Sequence, residues 1–252
     1  MEKERIDKLL VERGLAPSRE RAQAYLMAGR VLVDNEPVSK AGQRVKREAE
    51  IRLRGEDSNH VGRGALKLEA ALTRWPIHLQ GKRCLDVGAS TGGFTQIMLE
   101  AGASRVYALD VGTNQLDFRL RQHPQVTSLE GVNFRHAPVS LVGEAVDFIS
   151  IDVSFISLKL ILPQAWVFLA PGGSLVALVK PQFEVGREKV EKGGLVKDPA
   201  ARQAALEGIR DFALSLGFVV LGETDSPITG KKSGNQEALL YLGKPLAAKD
   251  QP

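Results

Sequence analysis

The segment CLDVGASTGGF (84–94) runs from an apolar stretch into a glycine-rich turn that opens a helix. Gly88, Gly92 and Gly93 let the backbone turn tightly and a ligand approach closely, because no Cβ stands in the way. The start of the following helix offers unpaired backbone N–H groups, a natural seat for polar atoms. The spacing does not satisfy G-x-G-x-x-G, which excludes the dinucleotide fingerprint. Asp110 lies 18 residues after Gly92 and ends the next apolar run. A carboxylate there can accept both hydroxyls of an adenosine ribose. Four further polar residues stand where burial is expensive: Lys67 in GALKLE, Asp152 in FISIDVSF, Lys180 in LVALVKPQF and Glu237 in GNQEALL.

Such residues need a scaffold to bring them together. From residue 83 onward, strand-like and helix-like segments alternate. This predicts an α/β fold with a mostly parallel seven-stranded sheet. Strands are expected at 83–87, 105–110, 126–129, 147–152, 174–180, 218–223 and 237–242, and helices at 64–75, 93–101, 114–121, 158–169 and 199–216. Asp152 and Lys180 then end their strands, where open α/β sheets bind ligands. Upstream, RIDKLLVERG predicts a helix stopped by Gly14. Ser18 is a plausible cap for a second helix ending at Gly29, and short strands follow at 30–33 and 50–54, with a turn at 34–36. The predicted organisation is a small α+β domain (1–54), a linker (55–63), the α/β domain (64–244) and a tail (245–252).

The chain of 252 residues, 43% hydrophobic and 25% charged, has the composition of a folded protein. Residues 1–54 hold 13 of the 34 basic and 9 of the 30 acidic residues, so the entire net charge of +4 lies there. A polyanionic partner of the N-terminal domain and an ordinary solvated helical face both account for this excess. No signal peptide and no apolar run of about 20 residues is present, so a cytoplasmic protein without a membrane partner is expected. The single cysteine, Cys84, reads as a small buried hydrophobe, and four scattered histidines give no metal-ligand spacing. No obligate protein partner is evident. A loop at 229–235, TGKKSGN, lacks the upstream glycine of a phosphate loop and leads into a strand, so it reads as an RNA-contacting loop or a plain surface turn.

The string RIDKLLVERGLAPSRERAQAYLMAGRVLVDNEPV resembles the S4 RNA-binding domain over roughly residues 5–53. The resemblance implies RNA contacts from Arg5, Lys8, Ser18, Arg19, Arg21 and Arg30, with arginine and lysine gripping phosphates. The pattern D-V-G-x-x-x-G-G-F with its downstream acid resembles the cofactor loop of class I methyltransferases. It implies S-adenosylmethionine held by Asp86, Gly88, Ala89, Ser90, Thr91, Gly92, Gly93, Phe94, Asp110 and Val111, with Asn133 the nearest match for an adenine contact. Lys67, Asp152, Lys180 and Glu237 match in type and order the Lys-Asp-Lys-Glu tetrad of FtsJ/RrmJ-like ribose 2′-O-methyltransferases. The strings GALKLEAAL, LDVGASTGGFT, IDVSFISLKLILP and LVKPQFE are similar to the TlyA (hemolysin A-type) family over nearly the whole chain.

That resemblance implies methylation of cytidine ribose in 16S and/or 23S ribosomal RNA, with ribosomal subunits as partners and no metal. A free lysine amine titrates near 10.4 and is a poor base at neutral pH. The tetrad resemblance nevertheless implies Lys180 as base or hydroxyl-positioning group with Asp152 orienting it, while Lys67 and Glu237 place substrate and balance charge. A pore-forming hemolysin, the alternative raised by the older family name, lacks a spanning segment or long amphipathic hairpin. A non-catalytic RNA-binding protein would have no use for an intact tetrad.

Overall fold

The computed structural model describes residues 3–53, 60–230 and 234–246. The chain divides into two compact units, Met1–Asn59 and His60–Pro252.

The first unit contains β1 (Lys3–Arg5), α1 (Ile6–Glu12), α2 (Arg19–Met27), β2 (Val31–Val33), β3 (Glu36–Val38), β4 (Arg44–Lys46) and β5 (Ile51–Leu53). Ile6, Leu9 and Leu10 of α1 pack on Ala22 and Leu26 of α2 and on Val31 and Val33, which makes one apolar core. Ser18 caps α2 by accepting the Arg21 N–H at 3.2 Å. The turn is a two-residue hairpin: Asp34 and Asn35 both have positive φ, 50° and 69°, the geometry that matches strand twist. The three-residue strands β1 and β4 pair antiparallel. They are too short to produce an alternating pattern and were not expected.

The second unit contains α3 (Ala65–Arg74), β6 (Arg83–Val87), α4 (Gly93–Glu100), β7 (Arg105–Asp110), α5 (Phe118–Arg121), β8 (Val126–Glu130), β9 (Val146–Ile151), α6 (Leu162–Phe168), β10 (Leu169–Val179), α7 (Pro199–Ser215), β11 (Val219–Asp225) and β12 (Ala238–Gly243). Seven strands form one sheet in the order β11-β12-β10-β9-β6-β7-β8. All neighbours are parallel except β12, which runs against both β10 and β11. The α/β expectation therefore holds. The chain winds outward in both directions from β6 and β9, so the crevice beyond their carboxyl ends is the switch point at which such sheets bind ligands.

The central strands are buried on both faces, as parallel strands covered by helices must be. Leu85, Val87, Ile149 and Ile151 face α6 and α7. Cys84 and Phe148 face α3 and α4. Cys84 is fully buried, and burial pushes its thiol up to about 12, which makes it an inert filler.

Several boundaries differ from expectation. The helix expected at 114–121 is only α5, because Asn114 takes a left-handed φ of 55° and Asp117 caps the turn by accepting the Arg119 N–H. The helix expected at 158–169 is a 3₁₀ turn, Leu158–Leu160, followed by α6. Residues 60–63, expected as linker, pack on the second unit: the Val61 N–H donates to Gln96 Oε1 at 2.8 Å, and Gly62 lies against Thr91. Of the expected linker, tail and 229–235 loop, residues 55–59, 247–252 and 231–233 lie outside the described residues.

Candidate active site

Gly88 begins the turn after β6 with φ +85°, and a Cβ there would stand 2.6 Å from the carbonyl oxygen of Asp152. Glycine is required twice over, for the dihedral and for this contact with the strand end that carries Asp152. Gly92 (φ +95°) turns the chain into α4. Gly93 has no unusual φ, but its Cβ would lie 2.8 Å from the Ala65 N atom, so it lets the start of α3 approach the loop.

Two cavities flank Gly88, Ser90 and Asp152. One, of about 520 Å³, is lined by Gly62, Arg63, Lys67, Ala89, Thr91, Gly93 and Phe94 among others. The other, of about 410 Å³, includes Asp110, Val111, Asn133, Phe134 and Ile161. The Asp110 carboxylate accepts the Ser90 and Gly112 N–H groups, each at 2.7 Å, which ties β7 to the loop. Asn133 Oδ1 accepts the Arg135 N–H at 3.1 Å.

Gly92 and Asp86, both expected at the cofactor, line neither cavity. Asp86 is 0% exposed, and its two oxygens accept Thr95 Oγ1 at 2.7 Å and Ser150 Oγ at 3.0 Å. It braces β6 against α4 and β9, because position 86 shares with Cys84 the strand face that α3 and α4 cover. Burial raises its carboxyl to about 7, against the opposing pull of the Thr95 and Ser150 hydroxyls. A raised acid holds its proton more tightly in the folded state, so stability falls as pH climbs from the ordinary carboxylate range toward 7. The full effect is on the order of 4 kcal/mol. Asp86→Asn should flatten this dependence, and its unfolding free energy in urea at pH 8 should exceed the parent's. Equal pH slopes for the two proteins would refute the assignment.

The four chemistry-bearing residues converge. Lys67 comes from the first turn of α3, Asp152 and Lys180 each stand one residue past β9 and β10, and Glu237 stands one residue before β12. Because β12 is reversed, its beginning lies beside the ends of its neighbours, and Glu237 joins the same edge. Lys67 Nζ donates to Glu237 Oε2 at 2.7 Å and to Asp152 Oδ2 at 3.5 Å. Lys180 Nζ lies 2.6 Å from Asp152 Oδ1. Alternating charges thus run Lys180, Asp152, Lys67, Glu237, and Lys67, Lys180 and Glu237 are buried. Two cations offset two anions, which is how ions persist at low exposure.

Three contributors have no counterpart in the sequence expectations. Lys180 Nζ donates to Ser154 Oγ at 2.9 Å. Glu184 accepts Ser157 Oγ at 2.6 Å and the Leu158 N–H at 2.9 Å. Burial raises its carboxyl above the ordinary range. Asn235, nearly fully buried, accepts the Val196 N–H at 2.8 Å and donates to the Gly194 carbonyl at 2.7 Å. The polar residues two to four positions from Asp152, Lys180 and Glu237 were the available signal.

In the first unit, Arg5 and Arg19 both reach the fully buried Asp7, at 2.9 and 3.0 Å. Arg5 foremost holds that carboxyl well below the usual range. Arg21 and Arg30 both lie over the Tyr25 ring, 5.1 and 4.8 Å from its centroid. Lys8 sits 3.4 Å from Glu4, and the Ser18 oxygen is engaged as a helix cap. Asp7 was legible in principle, since it shares a helix face with Leu10 three residues on.

Residues 60–244 match the FtsJ-like methyltransferase model and residues 4–51 the S4 domain model. The chain is 41% identical over 239 residues to the 16S/23S rRNA (cytidine-2′-O)-methyltransferase TlyA of Mycobacterium tuberculosis, covering 94% of this chain and 89% of that one. It is 37% identical to hemolysin A of Brachyspira hyodysenteriae, covering 94% and 99%. A solved hemolysin candidate from Streptococcus thermophilus superposes with TM-score 0.75 at 46% identity, covering 100% of this chain and 90% of that one. Two domain matches, near-full-length relatives and the convergent tetrad agree: the chain belongs to the TlyA (hemolysin A-type) family of FtsJ-like methyltransferases with an S4 domain.

Proposed function

We propose that this enzyme methylates the 2′-hydroxyl of cytidine ribose in 16S and/or 23S ribosomal RNA, using S-adenosylmethionine. The observation that carries the reading is the convergence of Lys67, Asp152, Lys180 and Glu237 beside the glycine loop. When bound, the cofactor supplies a methyl group on a sulfonium, already a strong electrophile. The cavity beside Asp110 suits its adenosine: the carboxylate keeps lone pairs for ribose hydroxyls, Val111, Phe134 and Ile161 offer apolar walls for the base, and Asn133 is within the same lining. The loop Ala89, Ser90, Thr91, Gly93 and Phe94 would hold the remainder.

The chain's own task is alignment and proton removal. Lys180 receives or directs the proton of the ribose hydroxyl. Asp152 holds Lys180 in place and balances the resulting charge. Lys67, on the wall of the larger cavity and clamped by both acids, places the substrate. Arg5 and Arg19, set by Asp7, and Arg21 and Arg30, set by Tyr25, form two cation pairs for RNA phosphates, with Lys8 and Ser18 as further contacts. Ribosomal RNA as substrate also implies a cytoplasmic location. Among the described residues no helix is long and apolar enough to cross a membrane.

The test is transfer of labelled methyl to purified small and large ribosomal subunits, with ribose methylation mapped at nucleotide resolution. The expected result is 2′-O-methylcytidine at discrete positions of one or both RNAs. Label on a base, or no label on either subunit with cofactor bound, would reject the reading.

A further inference from the structure

Lys180 makes two close contacts of different quality. Asp152 Oδ1 is 2.6 Å from its Nζ, yet that oxygen receives no aligned hydrogen bond. The aligned hydrogen bond of Lys180 goes to Ser154 Oγ at 2.9 Å. Ser154 is exposed and lines the smaller cavity, and its own O–H has no protein acceptor among the described residues.

This hydroxyl is held in place from both sides. Phe155, the next residue, has φ +64°, a strained conformation for an aromatic side chain. Its ring packs on Phe183 at 5.3 Å, and Ser157 and Leu158 both donate to Glu184. The segment after β9 and the segment after β10 are therefore zipped in parallel order: 154 to 180, 155 to 183, and 157 and 158 to 184. Strain maintained beside reacting groups indicates a geometry that the neighbouring contacts enforce.

We propose that Ser154 is a positioning residue for methyl transfer, acting through Lys180. The Lys180 ammonium first releases one proton to solvent, and the neutral amine then has two N–H bonds and one lone pair. With one N–H fixed on Ser154 and the nitrogen held 2.6 Å from Asp152 Oδ1, the amine is turned so that its lone pair is left for the incoming ribose hydroxyl. The proton leaves that hydroxyl for Nζ, the oxygen takes the methyl, and the ammonium that results is balanced by Asp152. Without Ser154 the amine swings to Asp152 and its lone pair loses its direction.

The proposal rests on Lys180 acting as proposed above, and the experiment separates the two. Single-turnover transfer to ribosomal RNA is measured for the parent, Ser154→Ala, Ser154→Thr and Lys180→Ala, alongside cofactor affinity and RNA KM. Ser154 is exposed, so its replacement disturbs no core packing. Ser154→Ala should lower kcat about tenfold, the value of one hydrogen bond, with KM and cofactor affinity within about twofold. Ser154→Thr, which keeps the hydroxyl, should restore most of the rate. Parental kcat in Ser154→Ala while Lys180→Ala is inactive overturns the proposal alone. So does a loss that threonine does not rescue, since that marks a structural role. Normal transfer by Lys180→Ala overturns the underlying reading.

Discussion

Lys180→Ala should lower methyl transfer by about 10³-fold or more while S-adenosylmethionine binds within about twofold of the parent, because loss of a positioned base or hydroxyl anchor typically costs 10²–10⁴ in rate. Lys180 itself lines neither cavity beside the loop and reaches them only through Asp152 and Ser154. The remaining ions stay paired, since Lys67 alone bridges Glu237 at 2.7 Å and Asp152 at 3.5 Å. Helix α3 therefore keeps its anchor, and the variant should fold. Lys180→Arg should be equally inactive, because a guanidinium offers no lone pair for the hydroxyl proton and does not reproduce a single directed amine. Calorimetric titration of cofactor paired with single-turnover kinetics is the decisive measurement. A variant that loses cofactor binding along with transfer would mean that Lys180 belongs to the cofactor pocket instead.

Gly88→Ala should be nearly as damaging by another route. The substitution forces alanine to φ +85° and drives its Cβ to 2.6 Å from the Asp152 carbonyl oxygen and 3.0 Å from its carbonyl carbon. The obstructing atoms are backbone and cannot swing aside, so β6 and β9 must part at the crevice where both cavities meet. Cofactor affinity and turnover should each fall at least about 100-fold, because an error near 1 Å in alignment already costs that much. Gly143 provides the control. Its φ is +81°, but nothing lies within 4 Å of the Cβ position. Gly143→Ala should incur comparable backbone strain, about 1–2 kcal/mol, without loss of affinity. Equal affinity losses in both variants would trace the effect to strain rather than to the contact with Asp152.

The chemistry was legible because it sits at strand ends. A lysine or acid that terminates an apolar run is conspicuous, and Asp110, Asp152 and Lys180 each announced themselves in that way. Lys67 and Glu237 were readable from their apolar neighbours and from the family pattern. The supporting contacts were not readable, for a physical reason. Ser154, Glu184 and Asn235 act through partners 26 to 41 positions away, and no local periodicity encodes such pairings. Asp86 is expected at the cofactor from its position in the loop motif, and its bracing of Thr95 and Ser150 was not readable, because strand alternation turns it toward α4. The late start of α5 escaped because one left-handed residue, Asn114, interrupts an otherwise helical composition. In the first unit the arginines were visible, but the buried Asp7 and Tyr25 that order them in pairs emerge only when α1 and α2 pack.

The reversed direction of β12 has a practical corollary for anyone handling this protein. From Glu237, at the edge where the four charged residues gather, the strand carries the chain away for six residues, Ala238–Gly243, a run of roughly 17 Å. The polypeptide leaves the sheet at the rim opposite the chemistry. An affinity handle or fluorophore joined beyond Gly243 thus starts from the far side of the sheet, whereas the same label inserted between β11 and β12 would land beside the Lys67–Glu237 pair.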